Sequence, residues 1–227
     1  ISLAKNLTSG EFIAPLLRVT IPEGLRGEQI VDIIKETLSP EHTEHITEEM
    51  VDAHIGYLFP DTYFISPSFT AEELIVLMQE TFTEKIETYQ AQISASPFTL
   101  DEIIILASIL EREADTEESM KVVSGILQSR LAIEMALQVD ATFEYLLGKE
   151  SKELTLDDLA IDSPYNTYTN RGLPPTPISN PGLQAIEAVL EPTDTDYLYY
   201  LTDEDGEYHY AETFEEHVEN KHKYLKE

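Results

Sequence analysis

The 227-residue chain carries 44 Asp and Glu against 14 Lys and Arg, a formal net charge of -30. Gripping nucleic-acid phosphates or docking on anionic lipid through a basic face needs clustered cations, so neither partner is expected. The absence of cysteine removes disulfides, thiolate metal sites and cysteine nucleophiles, while 42% hydrophobic residues suffice for one large domain or two unequal ones.

In chain order, Leu16 to Thr20 is an apolar, β-branched run that predicts a strand. Ile21-Pro22-Glu23-Gly24 turns the chain into an amphipathic helix from about Gly27 to Leu38, with Ile30, Ile33 and Ile34 on one face. Residues 39–70 are mixed and irregular, and Pro60 and Pro67 interrupt any long element. Thr70 with Glu73 makes a capping box for a helix to about Ile93, which Ser96-Pro97 closes. A second box, Thr99 with Glu102, opens the most apolar segment, Ile103 to Leu110. A helix hydrophobic nearly all round belongs in the middle of a domain.

Another helix is expected from about Glu117 to Leu131. Residues 163–181 carry five prolines and predict an ordered loop anchored by Tyr165, Tyr168 and Leu173. Asn180-Pro181 predicts a helix start, with Asn as N-cap and Pro at the first helical position. Tyr197 to Thr202 and Glu207 to Ala211 flank Asp205-Gly206, a hairpin signal, and Thr213 with Glu216 caps a last helix. The sum is α+β, helix-rich with small antiparallel β pieces. No apolar run approaches the roughly 18 residues of a membrane span. No signal peptide opens the chain, which begins abruptly at Ile1 in what reads as mid-domain sequence, so an N-terminal part that could carry an anchor is expected upstream.

The chain lacks a Gly-rich phosphate loop, a His-Glu-x-x-His pair and a Gly-x-Ser-x-Gly elbow. His42 and His45 are spaced to share a metal, but in an acidic, Thr-rich stretch a solvated face is the simpler reading, and no metal is expected. The unusual segment is Leu106-Ala107-Ser108-Ile109-Leu110-Glu111-Arg112-Glu113-Ala114, where two carboxylates end the most apolar helix. They oppose the helix dipole, so local energetics do not explain them. Desolvation and the helix C-terminus both raise a carboxyl pKa, as a general acid at neutral pH requires. The plainer alternative is a surface turn paired by Arg112.

Ala107-Ser108-x-x-Glu111-x-Glu113 resembles the active-site helix of the MltG-type (YceG-like) endolytic murein transglycosylases. Gly56-Tyr57-Leu58-Phe59-Pro60-Asp61-Thr62-Tyr63 is similar to a second block of that family. Tyr165-Asn166-Thr167-Tyr168, with Gly172-Leu173-Pro174-Pro175 and Pro177-Ile178-x-Asn180-Pro181-Gly182, is similar to a third. Tyr197-Leu198-Tyr199, Asp205-Gly206 and Thr213 to His217 resemble the fourth, so four blocks fall in order over roughly residues 17–227. Ile55, Ser129 and Thr176 depart from the usual Glu, Asn and Gly. Leu137-Gln138-Val139-Asp140-Ala141-Thr142 lacks the usual Pro between Asp and Thr. Residues 1–15 resemble the end of a LysM-like module, leaving 16–227 as the catalytic domain with residues 100–114 as its core helix.

The resemblance implies a lysozyme-like catalytic core that cuts peptidoglycan between N-acetylmuramic acid and N-acetylglucosamine without water or cofactor. One Glu then acts as acid and as base, leaving 1,6-anhydromuramic ends. It further implies a bacterial cell-envelope location on the outer face of the cytoplasmic membrane. Expected partners are glycan strands and the penicillin-binding or other synthetic proteins of the wall. Helical residues two apart point roughly 200° apart. Three, four and seven residues back from Glu113 stand Leu110, Ile109 and Leu106; from Glu111 stand Ser108, Ala107 and Ile104. The greasier face assigns the chemistry to Glu113 and a supporting role to Glu111. Tyr57, Gln138, Tyr165, Asn166 and Tyr168 are the expected substrate contacts. The rivals are a two-carboxylate hydrolase, with Asp140 or Asp61 joining Glu113, and a catalytically silent wall-binding protein.

Overall fold

The computed structural model describes residues 15–149 and 151–225. The LysM-like stretch, residues 1–15, lies outside them except for Pro15. The fold is α+β as expected, and among the described residues no helix is long and apolar enough to cross a membrane.

One half of the core is built by strand β1 (Leu17–Thr20), helices α1 (Gly27–Thr37) and α2 (Glu48–Asp52), strand β2 (Thr62–Ile65) and helix α3 (Ala71–Glu87). β1 and β2 pair antiparallel from Leu17 opposite Ile65 to Thr20 opposite Thr62. β2 arises inside the stretch expected to be irregular. Its period is the evidence that was there: Tyr63 and Ile65 are buried while Phe64 faces out. The expected long helix to Ile93 instead stops at Glu87, and a separate α4 (Gln90–Ala95) follows. The Tyr89 hydroxyl at the break donates to Glu187, a tertiary tie that local pattern does not contain.

The other half surrounds α5 (Leu100–Glu113), which carries the expected Thr99–Glu102 capping box and buries every residue from Ile103 to Leu110. It packs against α6 (Glu117–Ala132), α7 (Ala141–Leu147) and α8 (Leu183–Leu190). The hairpin of β3 (Tyr199–Thr202) and β4 (Tyr208–Ala211) turns at Gly206 and supports α9 (Phe214–Tyr224) behind its Thr213–Glu216 box.

The Pro-rich loop is stitched to α5 through Ser108. Its Oγ accepts from Ile178 N–H at 3.1 Å, and its carbonyl accepts from Ser179 Oγ at 3.0 Å. Asn180 corrects the expectation of an N-cap, because Gly182 caps α8. Asn180 is fully buried, and its Oδ1 accepts from Gly56 N–H at 2.8 Å and Leu58 N–H at 3.1 Å. A Cβ on Gly56 would lie 2.5 Å from Pro177, so only glycine lets these two segments meet. The blocks far apart in the chain thus converge on one helix.

Candidate active site

α5 ends with its two carboxylates on different sides. Glu111 turns toward the start of α8, where its Oε2 accepts from Gly182 N–H at 2.9 Å. Burial raises its pKa and that hydrogen bond opposes the rise. Glu113, half-buried, lines a cavity of about 890 Å³, and Glu111 does not.

Both oxygens of Glu113 are held. Oε1 accepts from the Ala141 N–H at the start of α7 at 3.1 Å, and Oε2 accepts from the Tyr200 hydroxyl at 2.6 Å. The Tyr208 hydroxyl donates to the Glu113 carbonyl at 2.8 Å, satisfying one of the open carbonyls at the helix end. Burial drives the Glu113 pKa up; the bonds from Tyr200 and Ala141 oppose it, Asp140 adds to it and Arg130 subtracts. The Tyr200 hydroxyl, buried beside this carboxyl, is raised well above its ordinary value and stays a donor.

Asp140 shares the cavity. Its Oδ1 accepts from Tyr168 Oη at 2.6 Å and its Oδ2 from Ser151. The Tyr168 ring stands edge-on to Phe143, with centroids 5.6 Å apart. Gln138 also lines the cavity at φ 50°, a left-handed conformation uncommon outside glycine. It is fixed there as its N–H donates to the Thr167 carbonyl at 3.0 Å. Arg112 closes the rim, its Nη2 donating to both carboxylate oxygens of Glu144 at 2.5 and 2.6 Å. Among the described residues no group of three or more His, Asp or Glu is placed to hold a metal.

Comparison with known proteins gives the family of the chain. The model of the YceG-like family matches residues 1–223. The chain belongs to the YceG-like family. An endolytic murein transglycosylase of Bacillus subtilis is 36% identical over a 250-residue alignment covering 99% of this chain and 69% of that protein. An endolytic murein transglycosylase of Streptococcus pneumoniae is 37% identical across 96% of this chain. The alignment spans 47% of that relative, about half its length. The crystal structure of a yceG-like protein of Listeria monocytogenes superposes with a TM-score of 0.76 at 33% identity, over 95% of this chain and 79% of that one.

Within this YceG-like fold, Glu113, Gln138 and Tyr168 come together and three other expected contacts stand elsewhere. Asn166 is fully buried: its Nδ2 donates to the Leu159 and Ile161 carbonyls, and its Oδ1 accepts from Tyr168 and Thr169 N–H. With its amide engaged inside the loop, Asn166 shapes the turn that presents Tyr168 and does not itself face the cavity. Tyr165 packs on Tyr145 at 5.0 Å and bonds Thr176 through its hydroxyl at 2.7 Å. Tyr57 packs on Phe82 and donates to Asp101 at 2.5 Å. Asp101 lies twelve residues before Glu113 on α5, about 18 Å away along the helix. Sequence reasoning missed Tyr200 and Tyr208 as neighbours of Glu113. Only the alternation of the hairpin strands hinted that alternate tyrosines share a face.

Proposed function

We propose that this chain is an endolytic murein lytic transglycosylase acting on peptidoglycan glycan strands at the outer face of the cytoplasmic membrane. The observation that carries the reading is Glu113, a carboxyl whose burial favours its protonated form, at the wall of a cavity large enough for sugar rings. Protonated Glu113 donates to the oxygen of the MurNAc–GlcNAc bond as that bond breaks. The resulting carboxylate, held by Tyr200 Oη and Ala141 N–H, takes the proton of the muramoyl 6-hydroxyl as its oxygen closes on the anomeric carbon. The product is a 1,6-anhydro ring, and Glu113 ends the cycle protonated. Glu111 orients α8 against α5 from the far side and supports the site indirectly.

Asp140 in the same cavity favours one second reading, hydrolysis with Asp140 activating water. Mass analysis of muropeptides from digested sacculi separates the two. Anhydromuramic ends, each lighter by one water than a reducing end, are the expected result; reducing ends alone would replace transglycosylation with hydrolysis. No new ends of either kind would overturn both.

A further inference from the structure

Arg130 on α6 is 5% exposed, yet it meets no carboxylate within ion-pair distance among the described residues. Its Nε donates to the Leu198 carbonyl at 2.7 Å and its Nη1 to that of Leu137. Nη2 finds no acceptor among the described residues, and Arg130 lines the cavity. Glu113 acts on this guanidinium through space without an ion-pair contact, so its desolvation is offset only in part by the two carbonyls.

Two further groups stand beside it. The Arg130 guanidinium and the His217 ring both pack on Tyr199, at 5.3 and 5.4 Å from its centroid. His217 Nδ1 is buried with no partner among the described residues. Lys221, one turn along α9, stands exposed at the rim. The cavity is lined by four basic residues, Arg112, Arg130, Lys152 and Lys221, against three acids, in a chain with 14 bases and 44 acids overall. The charge balance of the molecule is therefore inverted at this wall. Arg112 and Glu144 neutralise each other at one side of it.

We infer that the wall formed by Arg130, His217 and Lys221 is a subsite for a carboxylate carried by the glycan strand. The inference rests on the cavity being a glycan-cleaving site. The cationic Nη2 that Arg130 has left to offer suits a carboxylate better than a neutral acetamido group. Murein offers that carboxylate from two sources, the lactyl group of a muramic residue stripped of its peptide and the acids of the peptide stem.

Binding separates the sources. Full-chain Glu113→Gln protein is titrated at low salt with three strands: peptide-bearing, stripped to free lactyl carboxylates, and stripped then converted to neutral methylamides. We expect about tenfold weaker Kd for the methylamide strand than for the stripped one. Lys221→Glu in that background should reduce this ratio to about twofold or less. Lys221 is exposed, so this variant folds where Arg130→Gln, which loses two carbonyl contacts, is at risk. Peptide-bearing strands that bind like stripped ones assign the subsite to stem carboxylates as well; those that bind like methylamides assign it to the lactyl group. Equal Kd for charged and neutral strands, no binding of either, or an unchanged ratio in Lys221→Glu overturns the subsite. Cleavage by the native protein is scored separately, so failure of the glycan-cleaving reading is recognised on its own.

Discussion

Burying Glu113 works against folding at neutral pH, because the folded carboxyl holds its proton at a pH where the unfolded chain has released it. The pKa is raised, so stability falls as pH climbs from the ordinary 4.5 through the raised folded value, and it stays lower above that. Glu113→Gln keeps an oxygen for Ala141 N–H and has no charge to desolvate. It should abolish cleavage while raising the thermal midpoint at pH 7, with the gain shrinking toward zero below pH 4.5. A midpoint lowered at pH 7 would mean that the carboxylate contacts outweigh desolvation. Tyr200→Phe tests the same carboxyl from its other oxygen. It deletes the hydroxyl that donates to Oε2 and keeps the ring. Losing a bond that stabilises the charged form raises the pKa further. The alkaline limb of the cleavage–pH profile should therefore move up, and a limb that stays in place would show that Glu113 does not set it. The different facing of Glu111 and Glu113 was legible from helical geometry alone. Tyr200 was not, because it reaches Glu113 across 87 residues of sequence.

Elements whose signals are local were legible in where they start. The Thr70, Thr99 and Thr213 boxes each close between residues three apart, so the pattern and the hydrogen bonds occupy the same four residues. Elements defined by distant partners were not. β2 exists because β1 pairs with it, and α7 follows an Asp140 whose side chain bonds Tyr168 and Ser151 and not its own helix. Asn180 shows the limit most clearly, since Asn before Pro carries a helix-start pattern while its side chain binds Gly56 and Leu58. Asn180→Ala should leave those two buried N–H groups without an acceptor and destabilise the protein by about 2–4 kcal/mol. Chemical denaturation measures this. A loss below about 1 kcal/mol would mean that water replaces the amide.

Over the whole molecule, charge is the property that composition fixed in amount and left unplaced. The surplus of acids over bases is 30, so the bound pairs Arg112–Glu144, Lys121–Glu117 and Lys149–Asp158 cannot offset the mutual repulsion of the remainder. That repulsion acts over the Debye length, which shrinks from about 30 Å to about 8 Å between 0.01 M and 0.15 M salt. Screening should therefore stabilise the fold, by an order of 1 kcal/mol or roughly 2–4 °C in thermal midpoint for a chain this size. The same salt weakens a carboxylate held at the Arg130–Lys221 wall, where attraction is local and cationic. Stability and strand affinity are thus expected to move in opposite directions along one salt series, read by thermal unfolding and by strand titration. A midpoint that falls with salt would show that the few ion pairs outweigh the acidic surplus.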